Sequence, residues 1–448
     1  MSRTKTYAPL KVFMNNRAVG VLTKSPGGET AFSYDPDWLE WAGAMPVSLS
    51  LPLQKKSHGG AAVISFFDNL LPDSNIMLKG IAERVGAAGI DAYSLLSAIG
   101  RDCVGALQFI PEGAEAEIQD DGSYEPLSRN EVGDILQDLK RAPLGIRSNG
   151  GFRLSLAGAQ EKAAFLWKDG QWCRPIGMTP TTHIFKPQIG KIEMSTGTID
   201  LSQSVENEFY CLELLRAFGL DVAQAEIDQF GEKTVLIVER FDRLIRRDGG
   251  ILRLPQEDMC QALGVPPTLK YQNVGGPKLV DILTLLSRSD TPLEDQRTVY
   301  MSQILFWLIG ATDGHAKNFS IFLRPNNQMA LTPLYDVISA QPMFDARQIP
   351  HKDFKLAMSV GQKSRYKIQE IRRRHFHQTA VEAGLENVSA DQKHSFTTDA
   401  INIIQTRFTT AFENVLTRLP QDFPIEIHES IRSAASARLE TLRSNQSL

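Results

Sequence analysis

Asp313, Asn318 and Asp336 stand in an order that suits phosphoryl chemistry: the asparagine follows the first aspartate by five residues, and the second aspartate follows the asparagine by eighteen. A protein kinase supplies its catalytic carboxylate and its two magnesium ligands in that order. The segments between them make the order geometrically workable. Residues 319–323 and 329–333 read as two strands joined by a turn at Pro325-Asn326-Asn327, and an antiparallel hairpin sets the start of its first strand beside the end of its second. Asn318 and Asp336 are therefore expected to face one another across the open end, where two oxygen ligands could share a Mg²⁺ ion. The same spacing also fits a surface hairpin with ordinary capping residues.

Phosphoryl transfer further needs a cation on the phosphates and a backbone cradle around them. Lys186 ends the β-favouring run 182–186 and suits the first role, although a lone strand-end lysine is commonly just solvated. Glu208 shares a helical stripe with Cys211, Leu212 and Leu215. A carboxylate on an apolar stripe is costly unless paired, and Lys186 is its natural partner; a solvated helix-end glutamate is the alternative. Residues 152–166 read as strand, small-residue turn, strand, with Ala157, Gly158 and Ala159 small enough to let backbone N–H groups approach phosphate oxygens. The turn is neither a Walker A loop nor GxGxxG, so its position before the lysine is what gives it meaning. The apolar run 235–238, leading into Glu239, Arg240 and Phe241, fits a buried strand that reaches a hinge whose backbone would hold an adenine edge.

These groups need a large frame, and 448 residues allow two or three domains. With 42% apolar and 22% charged residues the composition is that of a soluble globular protein, and a net charge of −4 gives no global attraction to nucleic acid or anionic membrane. The N-terminus lacks a signal-peptide core and the longest apolar run, 304–309, is too short for a bilayer, so no membrane association and a cytoplasmic location are expected. Cys103, Cys173, Cys211 and Cys260 are widely spaced, which argues against a zinc site or a disulfide framework. Residues 11–14 and 19–22 around Asn15-Asn16 signal a hairpin, 112–126 reads as a long acidic loop, 143–151 as a junction, and the chain beyond Pro255 as mainly helical apart from the 319–333 hairpin. The expected domains are an N-terminal subdomain (1–145), a kinase N-lobe (146–255) and a helical C-lobe (256–440).

The chain resembles the HipA-type serine/threonine kinases, toxins of bacterial type II toxin–antitoxin modules. The resemblance runs through residues 48–53, 66–73, 157–162, 238–243, 253–259 and 312–318, and covers nearly the whole sequence. It implies an α+β fold: a two-lobed protein-kinase-like architecture with an extra N-terminal α/β subdomain and a mainly helical C-terminal lobe. It also implies ATP and Mg²⁺ as cofactors and a HipB-like helix-turn-helix antitoxin as partner, with DNA met mainly through the antitoxin. The substrate it implies is a protein of the translation apparatus, notably an aminoacyl-tRNA synthetase. Carried over by position, Asp313 would be the catalytic aspartate, Asn318 and Asp336 the metal ligands, and Lys186 the phosphate-binding lysine. Ala157, Gly158, Ala159, Gln160, Glu161 and Lys162 would form the phosphate loop, Glu239, Arg240 and Phe241 the hinge, and His315, Ala316, Lys317 and Asn318 part of the nucleotide pocket. Ser155 matches the serine at which such kinases phosphorylate and silence themselves. Asp313 is not preceded by His-Arg, and Asp336 is followed by Val-Ile instead of Phe-Gly, which sets aside the usual activation-loop control. His315 is expected to pack or hydrogen-bond, because Mg²⁺ prefers oxygen. The basic run 372–375, with Lys363, Arg365 and Lys367, reads as a solvated face or as added phosphate contacts in a DNA-bound assembly. A small-molecule kinase and a non-catalytic corepressor are the competing readings.

Overall fold

The structure is a computed structural model that describes residues 7–114, 122–146, 154–194, 197–387 and 395–444. The middle of the expected acidic loop, the end of the expected junction, and Phe152 and Arg153 at the start of the expected strand lie outside the described residues. The chain forms two compact units, each assembled from separated segments.

The first unit holds residues up to Pro187, Asp228–Thr268 and Ser320–Met329. Its N-terminal part is a five-stranded sheet in the order His58–Gly59, Thr30–Tyr34, Arg17–Lys24, Leu10–Met14, Leu107–Pro111. The expected hairpin is its centre: Asn15 and Asn16 take φ of 47° and 67°, the left-handed pair that a tight two-residue turn needs and asparagine tolerates. Alternate strand residues such as Leu10, Val12, Leu22, Phe32 and Phe109 pack with Phe66, Phe67, Leu95 and Leu96 in one core. Those aromatic and aliphatic residues lie on the helices Ala61–Asp68 and Ala92–Ile99.

A six-stranded sheet follows, in the order Ala225–Phe230, Lys233–Glu239, His183–Pro187, Ala163–Lys168, Gln171–Pro175, Tyr124–Pro126. The last of these corrects the acidic-loop expectation, since Tyr124–Pro126 pairs with Cys173–Pro175 as an edge strand. The sheet's two faces obey the strand period of two. Ala163, Phe165 and Phe185 enter a core with Val132, Ile135 and Leu136 of the helix Arg129–Gln137, whose start is fixed by the Ser128/Glu131 capping box. Ala164 and Ile184, the opposite parity, pack toward the first core beside Leu154 and Leu156. Gln256–Asp258 pairs with Ser320–Leu323 in the register Glu257↔Ile321, a strand the sequence did not signal because its residues are polar and poor β-formers.

The second unit, Gln188–Ile227, Leu269–Phe319 and Ala330–Leu448, is mainly helical. Its long helices are Ser204–Ala217, Pro292–Ile309, Phe396–Leu416 and Ile425–Ser444. Pro292–Ile309 is buried on nearly every side from Val299 onward, which explains the continuous apolar run at its end. Lys355–Val360 and Arg365–Lys367 form an antiparallel pair that the helical expectation missed. Among the described residues no helix is long and apolar enough to cross a membrane.

Candidate active site

The helix Pro292–Ile309 stops at Gly310, whose φ of 72° suits a glycine C-cap, and Ala311 N–H closes back on Phe306 O at 2.9 Å. The chain then turns tightly: a Cβ at Gly314 would stand 2.7 Å from the Phe306 ring. The Asp313 carbonyl accepts from His315 N at 2.7 Å, and a single 3₁₀ turn follows over Ala316–Asn318. His315, Ala316, Lys317 and Asn318 are all buried, whereas Asp313 is exposed, so a packed loop presents one carboxylate to solvent. Its Oδ1 accepts a hydrogen bond from the Tyr271 hydroxyl at 2.7 Å.

Asp336 is brought to this loop. Asn318 Nδ2 donates to the Asp336 carbonyl at 2.9 Å, and the Tyr335 hydroxyl donates to Lys317 O at 2.8 Å. Asp336 has φ 59°, a left-handed conformation that costs a non-glycine residue about 1–3 kcal/mol and is characteristic of functional turns. Below it, Leu334 is fixed by hydrogen bonds to Asp221 and Ala223, and Ser339 exchanges two backbone hydrogen bonds, both 2.9 Å, with the Asn207 side chain. The amide of Asn318 spends an N–H on the Asp336 backbone carbonyl, which sets two oxygen-bearing side chains on neighbouring residues. Among the described residues no cluster of three or more His, Cys, Asp or Glu could hold a metal. A two-oxygen set of this kind suits Mg²⁺, which binds through one or two protein oxygens and takes its other ligands from phosphates and water.

In the first unit, Leu154 bridges to Asp102, Ser155 N–H donates to Asp102 O at 2.9 Å and Ser155 Oγ donates to Leu70 O at 2.7 Å. Gly158 bridges to Pro72 and accepts from Asp73 N at 3.2 Å. The segment 66–73 is thus the platform on which the small-residue turn lies. Gly158 has φ 103°, and a Cβ there would be 2.7 Å from Lys162 Nζ, which itself donates to Ala157 O at 2.5 Å. Gln160 ties the turn to Pro187 O at 3.1 Å. The register Ala163↔Phe185, extended by one residue, sets Lys162 opposite Lys186 on the sheet face that carries Leu154 and Leu156. Both lysines are 8% exposed. Two buried lysines thus stand on one sheet face beside the glycine turn.

Arg240, in the expected hinge, donates its N–H to Thr182 O and is 4% exposed. Its guanidinium, with those of Arg243 and Arg253, encloses Asp102 and Asp242 in a buried network at 2.8–3.2 Å. Burial alone would raise the Asp102 carboxyl; Arg243, Arg240 and Arg253 outweigh it and hold the group well below the usual carboxylate range. Of that stretch, Glu239 faces solvent and Phe241 is half-buried. Glu208 is 2% exposed on the helix Ser204–Ala217 of the second unit, while Lys186 belongs to the first. The basic run 372–375 begins a helix; Arg373 bonds Thr398, while Arg365 and Lys367 both pair with Glu370. The four cysteines are buried thiols. Tyr271, Asn207, Asp102 and the 66–73 platform are the site-forming residues that sequence reasoning did not assign.

The HipA N-terminal domain model matches residues 10–110 and the HipA-like C-terminal domain model residues 154–413. The candidate kinase Y4mE of Sinorhizobium fredii is 36% identical over 80% of this chain and 82% of its own length. The serine/threonine-protein kinase toxin HipA of Shewanella oneidensis is 30% identical over 80% of each chain. In fold, the chain superposes on the HipA in a solved complex of the Shewanella oneidensis HipA, HipB and operator DNA with a TM-score of 0.78 and 24% identity, over 97% of each chain. The mixed helix-and-sheet architecture, the domain matches and the curated relatives agree: this chain belongs to the HipA family of kinases.

Proposed function

We propose that this chain is the toxin of a type II toxin–antitoxin pair, an ATP- and Mg²⁺-dependent serine/threonine protein kinase that phosphorylates a translation protein, foremost an aminoacyl-tRNA synthetase. The observation that carries the reading is the hydrogen bond from Asn318 to the Asp336 carbonyl, which brings the two residues expected to bind the metal side by side on the unit whose loop presents Asp313. In this reading Asp313 takes the proton of the acceptor hydroxyl. Asn318 and Asp336 hold the metal, and Lys186 and Lys162, with the N–H groups of the 157–162 turn, bind the nucleotide phosphates. Glu239–Phe241 and His315–Lys317 line the base and sugar. ATP supplies the phosphoryl group, and Mg²⁺ offsets the charge that develops on it.

Ser155 is the self-phosphorylation site in this reading. Its hydroxyl is fully buried against Leu70 O, so residues 154–158 leave their platform for the transfer. A phosphate adds about −1.5 to −2 charges and keeps the segment from returning. The HipB-like antitoxin restrains the enzyme in the cytoplasm and mediates its contact with DNA.

Incubating the purified chain with labelled ATP and a cell lysate, then identifying the labelled protein by mass spectrometry, tests the proposal. A labelled synthetase that disappears with Asp313→Ala supports it. Label confined to small molecules would overturn it.

A further inference from the structure

We infer that the Tyr271 hydroxyl stands in for the acceptor at Asp313, as a built-in plug that an incoming hydroxyl or water must displace. The inference rests on Asp313 being the base. A phenol O–H donating to Asp313 Oδ1 at 2.7 Å makes the same hydrogen bond that an acceptor serine must make before its proton can be taken.

The loop that carries Tyr271 is built to hold it there. Gln272 makes two 2.8 Å hydrogen bonds to Ser359, one to its N–H and one to its hydroxyl. Gly276 N–H closes on Tyr271 O at 3.0 Å, and a Cβ at Gly276 would collide with Leu269 O at 1.9 Å, so the turn takes glycine alone. The ring meets His315 edge-on, 4.9 Å between centroids, and Lys270 Nζ lies 5.4 Å from its centre. Backbone and ring are located; only the side chain's rotation is needed to free the carboxylate, a fast motion for a partly exposed residue.

Such a plug discriminates. A protein acceptor that docks over a wide surface brings binding energy to displace the phenol. Water brings none, so ATP is spared from idle hydrolysis while no acceptor is bound.

The test is ADP formation by the full chain with Mg-ATP in the absence of any acceptor. Tyr271→Phe keeps the ring against His315 and removes only the hydroxyl. It is expected to raise kcat for ATP hydrolysis roughly tenfold, the factor one hydrogen bond to a carboxylate is worth, with KM for ATP within about twofold. The gain should vanish in the Tyr271→Phe/Asp313→Ala double variant. If Tyr271→Phe hydrolyses ATP no faster than the unmodified chain at equal melting temperature, the plug is refuted. A gain that survives in the double variant also refutes it, as does phosphate found on Tyr271, which would make the hydroxyl a substrate. Full hydrolysis by Asp313→Ala alone would instead remove the base assignment beneath it.

Discussion

Asp313 is exposed while its loop is packed, which separates its chemistry from its structural value. Asp313→Ala should therefore abolish phosphotransfer with a melting temperature within a degree or two of the parent; surface changes of this kind shift stability by less than about 0.5 kcal/mol. Asn207 is the opposite case. Its side chain satisfies both backbone groups of Ser339 inside the second unit, so Asn207→Ala leaves a buried donor and acceptor exposed to loss. A cost of about 2–4 kcal/mol is expected from denaturant unfolding, with weaker Mg²⁺ binding because Ser339 follows Asp336 by three residues. The approach of Asn318 to Asp336, on the loop that exposes Asp313, could be anticipated from the sequence because the local hairpin spacing carries it. The contacts of Tyr271 and Asn207 could not: their partners lie 42 and 132 residues away, and nothing around either residue marks it.

Among the elements, the segment 154–158 is held by three hydrogen bonds, two to its platform at Leu70 and Asp73 and one to Asp102. Ser155→Asp places a carboxylate where the structure has a neutral, fully buried hydroxyl. ATP affinity, read by calorimetry, should fall at least about tenfold, and an unchanged affinity would show that the segment tolerates charge in place. The small-residue turn was visible in sequence, but not the platform beneath it, because motif 66–73 has no local pattern that announces a distant partner. The strand Gln256–Asp258 carries a pH response of its own. Burial is the main reason the Glu257 carboxyl is pushed up to about 8, although Ser48 and Leu49 hydrogen-bond to it and pull the other way. A raised carboxyl pKa means the folded chain binds that proton more tightly than the unfolded one, so the contribution is full below about pH 4.5 and is lost as pH climbs toward 8. Glu257→Gln should flatten that falling limb in a series of melting curves; parallel curves for variant and parent would rule out the shifted carboxyl.

At the scale of the molecule, the network of Asp102 and Asp242 with Arg240, Arg243 and Arg253 fastens the N-terminal sheet region to residues 240–253 within the first unit. Asp102→Asn leaves three buried guanidinium groups with one carboxylate and should cost about 3–5 kcal/mol. Asp228→Asn breaks the exposed pair with Arg129 and should cost no more than about 1 kcal/mol. Equal effects of the two would mean that the buried network contributes nothing special. The α+β class and the kinase-like order of parts could be read from the chain, since periodicity and motif order are written locally. The interleaving of segments could not, because it depends on which distant stretches share a core.

That interleaving bears on how the protein is made. The first unit is complete only when Ser320–Leu323 reaches Gln256–Asp258, so the ribosome must have passed residue 329 of 448 before it can close. At roughly 5–20 residues per second, translation takes many seconds to reach that point. When residue 329 has been added, the Asp313 loop has been synthesised but Asp336, the partner of Asn318, has not. A chain terminated before Asp336 lacks the residue that Asn318 holds, and on the proposed assignment of the metal ligands such a fragment should show no kinase activity.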